Sequence, residues 1–389
     1  MRGHVRQRGK NGHWYAVVDI RDPVGVRRRK WISLPDCKGR RQAQLALARI
    51  VSEMQQGSAI EPNKVTVGQF LDRFQTDWVA THVSPQSRER YGCSLDHVRQ
   101  HLGERPLQKL RPADLAAFYA ALSREGLAPR TIRMIHAVLH GALGRARIWN
   151  IIRDNPAQLV KPPRAPDQEI KMLQPAEAAA LLERLRGKPL FLLAAVALAT
   201  GMRRNEMLAL RWQDVDLDAG RLTVEQSLEQ TAAYGVGVKA PKTRCGHRTI
   251  SLPVHIVAEL RAHWREQQEQ RLGQGLGKAP ASAPVFAAAD GRYLSPNMVS
   301  KAWPVAVAAA GMPAITLHSL RHVHASMLIA SGLDILTISR RLGHSSPTIT
   351  LNVYGHLIAG GDDRAAQIME AAFGNGSNSV ASGGRKPEK

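Results

Sequence analysis

The sequence reads His318-Ser-Leu-Arg321 in its last quarter and then Leu351-Asn-Val-Tyr354-Gly-His356, in which Tyr354 lies 33 residues after Arg321. Upstream stands Thr200-Gly-Met-Arg203-Arg-Asn-Glu206, Pro241-Lys242-Thr243 follows it, and His344 lies between Arg321 and Tyr354. Two arginines, a lysine, two histidines and a tyrosine are the residue types needed to bind and cleave a phosphodiester. These segments predict the fold and the function more sharply than the rest of the chain.

Cleavage of a DNA backbone without a metal ion needs a nucleophile, cations for the non-bridging oxygens, and a proton for the departing 5′ oxygen. The planar guanidinium group can bond two oxygens at once and keeps its charge, which suits Arg203 and Arg321. The pKa of a lysine falls readily near other cations. Lys242, between two β-rich runs, is therefore a candidate proton donor.

The composition favours a nucleic-acid partner. A formal charge of +22 and a pI near 10.7 indicate a polyanion, because cationic side chains release counterions condensed on nucleic acid. The longest apolar run, 189–199, is too short to span a bilayer, and no apolar leader follows the basic N-terminus, so we expect a cytoplasmic, nucleoid-associated protein without a membrane partner. Three cysteines far apart predict reduced thiols.

We expect the first domain, 1–64, to be a small DNA-binding domain. It holds 14 Lys and Arg against 5 Asp and Glu, a balance of +9. The runs 14–20 and 29–34 predict strands of a small three-stranded sheet, and 40–54 predicts an amphipathic helix. A basic sheet with one helix can read a DNA groove, whereas the alternative is a merely solvated basic hairpin.

Residues 65–160 predict a bundle of helices. Apolar spacing with Ser, Thr or Pro start signals places these helices at 67–79, 84–102, 112–125 and 128–149. The proline-rich stretch that follows predicts a linker over 161–169.

Residues 170–373 predict a mostly helical catalytic domain with one β segment. Helices are expected at 174–186, 189–200, 204–210, 253–272, 296–310, 318–332, 335–342 and 348–354, and the β segment runs over 221–252. The Gly, Ser and Asn-rich residues 374–389 predict a disordered tail. The predicted fold class is thus mainly α with small β elements.

The motifs quoted above closely resemble those of the tyrosine recombinase (phage integrase) family. The resemblance extends to Leu342-Gly-His344-Ser-Ser346, and five elements occur in the family's order across about 150 residues. Asn205 is one departure, because Gly or Ser is commoner there. The whole chain is similar to integrases with three parts: an arm-site DNA-binding domain (1–64), a core-binding domain (65–160) and a catalytic domain.

The resemblance implies a role for each member of the set. Five residues would activate and clamp the scissile phosphate: Arg203, Lys242, His318, Arg321 and His344. Tyr354 would attack that phosphate, leaving a 3′-phosphotyrosyl link and a free 5′ hydroxyl. A second 5′ hydroxyl can reverse that step, so neither ATP, cofactor nor metal is expected. Glu206 would orient its neighbours. The Pro-Lys-Thr match favours Lys242 over Lys239 as the lysine.

The resemblance also implies partners and a biological role. We expect double-stranded DNA with core and arm attachment sites, a homotetramer on that DNA, and an excisionase or DNA-bending accessory protein. The expected function is integration or excision of a mobile element such as a prophage. Three alternatives are a chromosome-dimer resolvase of the Xer kind, a type IB topoisomerase and a non-cleaving DNA-binding protein; the +9 segment argues against the first and the intact motif set against the last.

Other histidines allow a second interpretation. His318 and His322 are one helical turn apart, but Ser319 stands where a zinc hydrolase motif needs Glu. A zinc site is therefore not expected. We predict structural roles for His322 and His324 and a local packing or capping role for His356.

Overall fold

The computed structural model describes residues 3–8, 12–21, 27–34, 36–55, 60, 62–166, 173–241, 244–355 and 361–373. The chain divides into two compact units, 1–167 and 168–389. Within the described ranges, every helix is too short or too polar to cross a membrane. The predicted tail, 374–389, lies outside the described residues.

The first unit begins with an antiparallel sheet and one helix. Three strands lie in the order β1-β2-β3 and precede helix α1: β1 (Gly3–Arg8), β2 (His13–Arg21), β3 (Arg27–Leu34) and α1 (Arg40–Gln55). Ala16, Leu34 and Ala43 form a small core between the sheet and α1. The predicted sheet and helix are confirmed, and the strand for which the sequence pattern gave no position is β1.

A helical bundle follows in the same unit. Its helices are α2 (Val67–Phe74), continued by a π-helical turn (Gln75–Val79) and α3 (Ala80–His82), then α4 (Pro85–Leu102), α5 (Pro112–Arg124) and α6 (Pro129–Ile148). Thr66 caps α2, and a proline begins each of the last three helices, because the first helical position needs no amide donor. Apolar side chains from all four long helices form one core, as predicted.

The second unit contains nine described helices. They are α7 (Pro175–Leu185), α8 (Phe191–Thr200), α9 (Arg204–Met207), α10 (Val254–Gly273), α11 (Pro296–Ala309), α12 (Leu317–Ala330), α13 (Ile335–Leu342), α14 (Pro347–Tyr354) and α15 (Gly361–Phe373). Helix α9 is shorter than the predicted 204–210, because a turn follows it at residues 208–209. Helix α15 was not predicted.

The β segment predicted over 221–252 is two separate sheets in the structure. Strands β4 (Val215–Asp216) and β5 (Arg221–Val224) are followed by the hairpin β6 (Ser227–Thr231) and β7 (Gly235–Lys239), and then by β8 (Arg248–Ser251). Strand β8 pairs with β5, giving the order β4-β5-β8, and the hairpin stands apart. Alternation along each strand cannot show which strands pair, since pairing depends on tertiary position.

Two apolar clusters surround the ends of α8, α12 and α13. The larger includes the buried residues of α8, which is apolar on nearly every face. The smaller one joins α12, α13 and α14 through Ala325, Ile329, Ile338, Leu342 and Tyr354. This packing brings the end of α8, the start of α12 and the end of α13 close to one another.

Candidate active site

The side chains singled out by the sequence come from the ends of neighbouring helices. Arg203 directly precedes α9, whereas His318 and Arg321 lie in the first turns of α12. His344 follows the end of α13, and Tyr354 is the last residue of α14. The structure therefore gathers five of the six predicted site residues within the second unit.

Arg321 is a buried cation held by carbonyl oxygens. Its side chain is 2% exposed, Nη1 donates to the Gly201 carbonyl at 2.6 Å, and Nη2 donates to the Leu342 carbonyl at 2.8 Å. Burial, followed by the charge of Arg203, lowers the pKa of the Arg321 guanidinium to about 9, so it stays protonated at neutral pH. Because both acceptors are uncharged, the positive charge remains available for an anion.

Two glycines with a left-handed backbone conformation end two helices, at whose ends carbonyl oxygens accept hydrogen bonds from the arginines. Gly201 ends α8 with φ +65°, and Gly343 ends α13 with φ +68° and accepts from Nη2 of Arg203 at 3.3 Å. A Cβ on Gly201 would lie 2.6 Å from Cδ2 of His324 and 2.8 Å from Cδ2 of Leu342. Only glycine fits this close approach and this backbone conformation.

Glu206 orients Arg203 through two kinds of contact. Its Oε2 accepts from the Arg203 amide at 3.1 Å, and its Oε1 accepts from Nη1 of Arg203 at 2.8 Å. Oε2 also accepts from Nη2 of Arg248 at 2.8 Å. Burial alone would raise the pKa of Glu206, but the charges and hydrogen bonds of Arg248 and Arg203 outweigh it and hold the pKa below its usual value. Glu206 is therefore a buried carboxylate shared by two arginines, as its expected orienting role requires.

Arg248 belongs to this site and was not identified from the sequence. It is 7% exposed, and besides Glu206 it donates from Nε to the Arg341 carbonyl at 2.7 Å and from Nη1 to the Gly246 carbonyl at 3.1 Å. It thus fixes the start of β8 to the end of α13. One signal in the sequence could have found it, because Arg248 shares the inward face of β8 with the buried Ile250.

The two predicted histidines are neutral at physiological pH. Burial, followed by the charge of Arg321, lowers the pKa of His344 to about 4; His344 Nδ1 lies 2.8 Å from Oγ1 of Thr350. Part of the His318 ring is open to solvent, yet the surrounding protein, His322 and Arg321 lower its pKa to about 4 as well. Neutral imidazoles can exchange hydrogen bonds with a phosphate without adding charge.

Tyr354 is buried against the smaller cluster and bonded to a histidine. It is 2% exposed, and its hydroxyl lies 2.7 Å from Nδ1 of His322. Burial raises the pKa of the Tyr354 phenol to about 12, although Arg321 opposes this shift. The sequence predicted a structural role for His322 and did not foresee its direct contact with the hydroxyl of the candidate nucleophile. His324 is buried and is hydrogen-bonded to the Leu198 carbonyl and to Arg341.

Lys242 and His356 lie outside the described residues. Strand β7 ends at Lys239, whose Nζ lies 2.8 Å from Oε2 of Glu229 in a mostly buried ion pair. Lys239, the alternative to Lys242 in the sequence, is therefore already paired with a carboxylate.

In the part of the chain that the structure describes, no group of three or more His, Cys, Asp or Glu side chains is arranged to hold a metal ion. The rings of His318 and His322 contact each other edge to face, with centroids 5.0 Å apart. Cys37, Cys93 and Cys245 are free thiols.

A helical scaffold that gathers arginines, neutral histidines and one tyrosine is typical of enzymes that transfer phosphodiesters. Two family models match the chain: the phage integrase family over residues 171–359, and the phage integrase N-terminal SAM-like domain over residues 71–142. Together they cover much of the second unit and of the helical bundle.

Curated relatives match along nearly the whole chain. An integrase of Streptomyces ambofaciens is 30% identical over 379 residues, which is 94% of this chain and 95% of the relative. A tyrosine recombinase XerC-like protein of Caldanaerobacter subterraneus subsp. tengcongensis is 24% identical over 94% of this chain and 98% of its own length. The ICEBs1 integrase of Bacillus subtilis is 27% identical over 67% and 71%, respectively.

Solved structures share the fold. The Tn1549 transposon integrase in complex with a circular intermediate DNA superposes with a TM-score of 0.67 at 21% identity, covering 79% of this chain and 99% of that one. A lambda integrase dimer bound to a COC′ core site gives 0.55 at 19% identity, covering 90% and 93%. The chain belongs to the tyrosine recombinase (phage integrase) family. It is a tyrosine-type site-specific DNA recombinase that acts in the integration of a mobile element.

Proposed function

We propose that Tyr354 is the nucleophile and that Arg203, Arg321, His318, His344 and Lys242 form the rest of the catalytic set. The observation that supports this assignment is the electrostatic proximity of the five described residues, whereas Lys242 is included on the Pro241-Lys242-Thr243 match. Arg321 and Arg203 lower the pKa values of both His318 and His344, and Arg321 also acts on Tyr354. A shared field of two cations is what a phosphate with developing negative charge requires.

In the proposed reaction the Tyr354 oxygen forms a bond to the scissile phosphorus while the bond to the 5′ oxygen breaks. Arg203 and Arg321 neutralise the non-bridging oxygens, and His318 and His344 add hydrogen bonds. The departing 5′ oxygen takes a proton from Lys242. The phosphoester is conserved as a 3′-phosphotyrosyl link, so a second 5′ hydroxyl can displace Tyr354 without ATP.

The proposed set is tested with a duplex of the mapped attachment core that carries a nick beside the cleavage position, which traps the covalent adduct. Lys242→Ala should slow adduct formation by about 10²-fold or more, because the leaving oxygen loses its proton donor. A 5′-bridging sulfur at the scissile phosphate needs no proton to leave, so it should restore the rate. Lys239→Ala is the matched control. If the bridging sulfur restored the rate of Lys239→Ala and not that of Lys242→Ala, the proton donor would be Lys239.

We also propose that the domain boundaries follow the sequence: 1–64 binds arm-type sites, 65–160 binds the core site, 161–169 is a linker and 170–373 is catalytic. The charge of +9 in the first segment and the two family-model ranges support this division. Footprinting of the full chain should protect DNA both at the core and at separate arm sites. Protection of the core alone would contradict the arm-binding assignment.

The partners follow from the same proposal. A lambda integrase tetramer bound to a Holliday junction shares the fold with a TM-score of 0.56 at 20% identity. We propose that four copies of this chain likewise act on two double-stranded DNA sites, with an excisionase or DNA-bending protein setting direction, in the cytoplasm at the nucleoid. Cross-linking of the protein on its DNA during strand exchange measures the number of copies. A result with dimers and no tetramers would contradict the proposed tetramer.

A further inference from the structure

His322 is placed to act directly on the candidate nucleophile. It lies one turn after His318 on α12, is half-buried, and its Nδ1 is 2.7 Å from the Tyr354 hydroxyl. The ring centroids of His322 and Tyr354 are 5.6 Å apart. Tyr354 also belongs to a buried apolar cluster with Ala325 and Ile329 of α12, the helix that carries His322.

The buried phenol needs a proton acceptor if it is to attack a phosphate. Burial raises the pKa of Tyr354 to about 12, so the phenolate is scarce at neutral pH. Arg321 favours the phenolate but carries no lone pair that could accept the proton. An adjacent general base is the usual way to activate such a nucleophile.

His322 has the protonation state that this task requires. Burial and the charge of Arg321 lower its pKa, so the imidazole is neutral at physiological pH. With the hydrogen on Nε2, Nδ1 offers its lone pair to the Tyr354 hydroxyl. Among the described residues, the charged or titratable groups beside His322 are His318 and Arg321 of α12 and Tyr354 of α14.

We propose that His322 is the general base that accepts the Tyr354 proton. As the phenolic oxygen bonds to phosphorus, its O–H bond breaks and the proton moves to Nδ1, making His322 an imidazolium. In the reverse step the proton returns to Tyr354 as the phosphotyrosyl bond breaks. This inference rests on the proposed role of Tyr354 and leaves His318 to bond the phosphate.

The test uses the full-length protein and the nicked core duplex. His322→Asn keeps a hydrogen-bond acceptor near the position of Nδ1 but cannot take up a proton, so adduct formation should slow by about 10²-fold or more. Fluorinated tyrosine, incorporated at position 354, has a more acidic phenol. It should raise the rate of His322→Asn by about tenfold or more while leaving the wild-type background unchanged or slower.

His324→Asn is the matched control, because it removes another histidine of α12 whose bonds, to the Leu198 carbonyl and Arg341, are structural. Any loss in that variant should persist with fluorotyrosine. Binding to the duplex and the melting temperature of each variant show that it is folded.

The outcomes separate the two proposals. Normal adduct formation by His322→Asn, or a loss that fluorotyrosine does not restore, would overturn the role of His322 while leaving Tyr354 in place. An adduct that survives Tyr354→Phe would instead overturn the nucleophile itself.

Discussion

At the scale of the residue, the two arginines of the site are held in position by different kinds of group. Among the described residues, Arg321 donates to two carbonyl oxygens, at 2.6 and 2.8 Å, whereas Arg203 shares Glu206 with Arg248. A buried guanidinium without a carboxylate contact is costly in the free protein. The two carbonyl hydrogen bonds offset part of that cost.

Arg321→Lys should lower the rate of adduct formation by about 10²-fold or more while DNA affinity changes little. An ammonium group keeps the charge but cannot bond the Gly201 and Leu342 carbonyls and two phosphate oxygens in one plane. Single-turnover cleavage and a filter-binding titration measure the two effects. Arg186→Lys, at an exposed ion pair, is the control, and equal losses of rate and affinity in Arg321→Lys would reduce Arg321 to a DNA anchor.

The sequence could supply the identity of the charged residues but not all of their contacts. Arg203, Arg321, His318, His344 and Tyr354 were predicted from motif order, and the structure brings them together. The bond between His322 and Tyr354 could not be predicted, because it depends on how α14 packs across α12.

At the scale of the element, the site is built on the C-terminal ends of two helices. A glycine in the left-handed conformation ends each helix, Gly201 after α8 and Gly343 after α13. These turns direct nearby carbonyl oxygens towards Arg321 and Arg203. The sequence predicted helices that end at residues 200 and 342, directly before these glycines. Strand pairing was harder to predict, since β8 joins β5 across the hairpin that separates them in sequence.

Gly201→Ala should destabilise the protein and slow cleavage together. The new Cβ would meet His324 and Leu342 at under 3 Å, and alanine disfavours the left-handed conformation. Gly187→Ala separates these causes, because Gly187 also has positive φ, at 74°, but open space around its Cα. We expect a loss of about 1 kcal/mol in unfolding free energy for Gly187→Ala and a clearly larger one for Gly201→Ala in urea melts. Equal losses would rule out the steric contribution.

His324 makes the second unit sensitive to acid. Burial and then the charge of Arg341 lower the pKa of His324 from the ordinary value of 6.5 to about 4. Between pH 6.5 and pH 4, His324 is therefore protonated in the unfolded chain but not in the folded chain. Its contribution to stability is therefore present above pH 6.5 and is lost as the pH falls towards 4. The expected loss is roughly 2 to 3 kcal/mol.

Urea unfolding between pH 7 and pH 4 measures this effect. His324→Gln cannot titrate, so its unfolding free energy should fall less steeply over that interval, from a lower value at pH 7. A slope equal to that of the wild type would show that His324 does not carry the pH dependence.

At the scale of the whole molecule, a chain with a net charge of +22 folds into two compact units, 1–167 and 168–389. Apolar spacing was enough to predict the mainly helical fold, because it is a local pattern, and the resemblance of the motifs to the tyrosine recombinase family implied the recombinase function. Helix α15 was not predicted, since Gly361 and the acidic residues after it give only a weak helical pattern.

The most direct test of the catalytic assignment is the identification of the residue that carries DNA in the trapped adduct. Trypsin cleaves after Arg341 and Arg364, releasing residues 342–364, which contain Tyr354 as their single tyrosine among several Ser and Thr residues. Tandem mass spectrometry of the nuclease-trimmed adduct should locate the nucleotide on Tyr354. A nucleotide on any of those Ser or Thr residues, or in another peptide, would contradict the account.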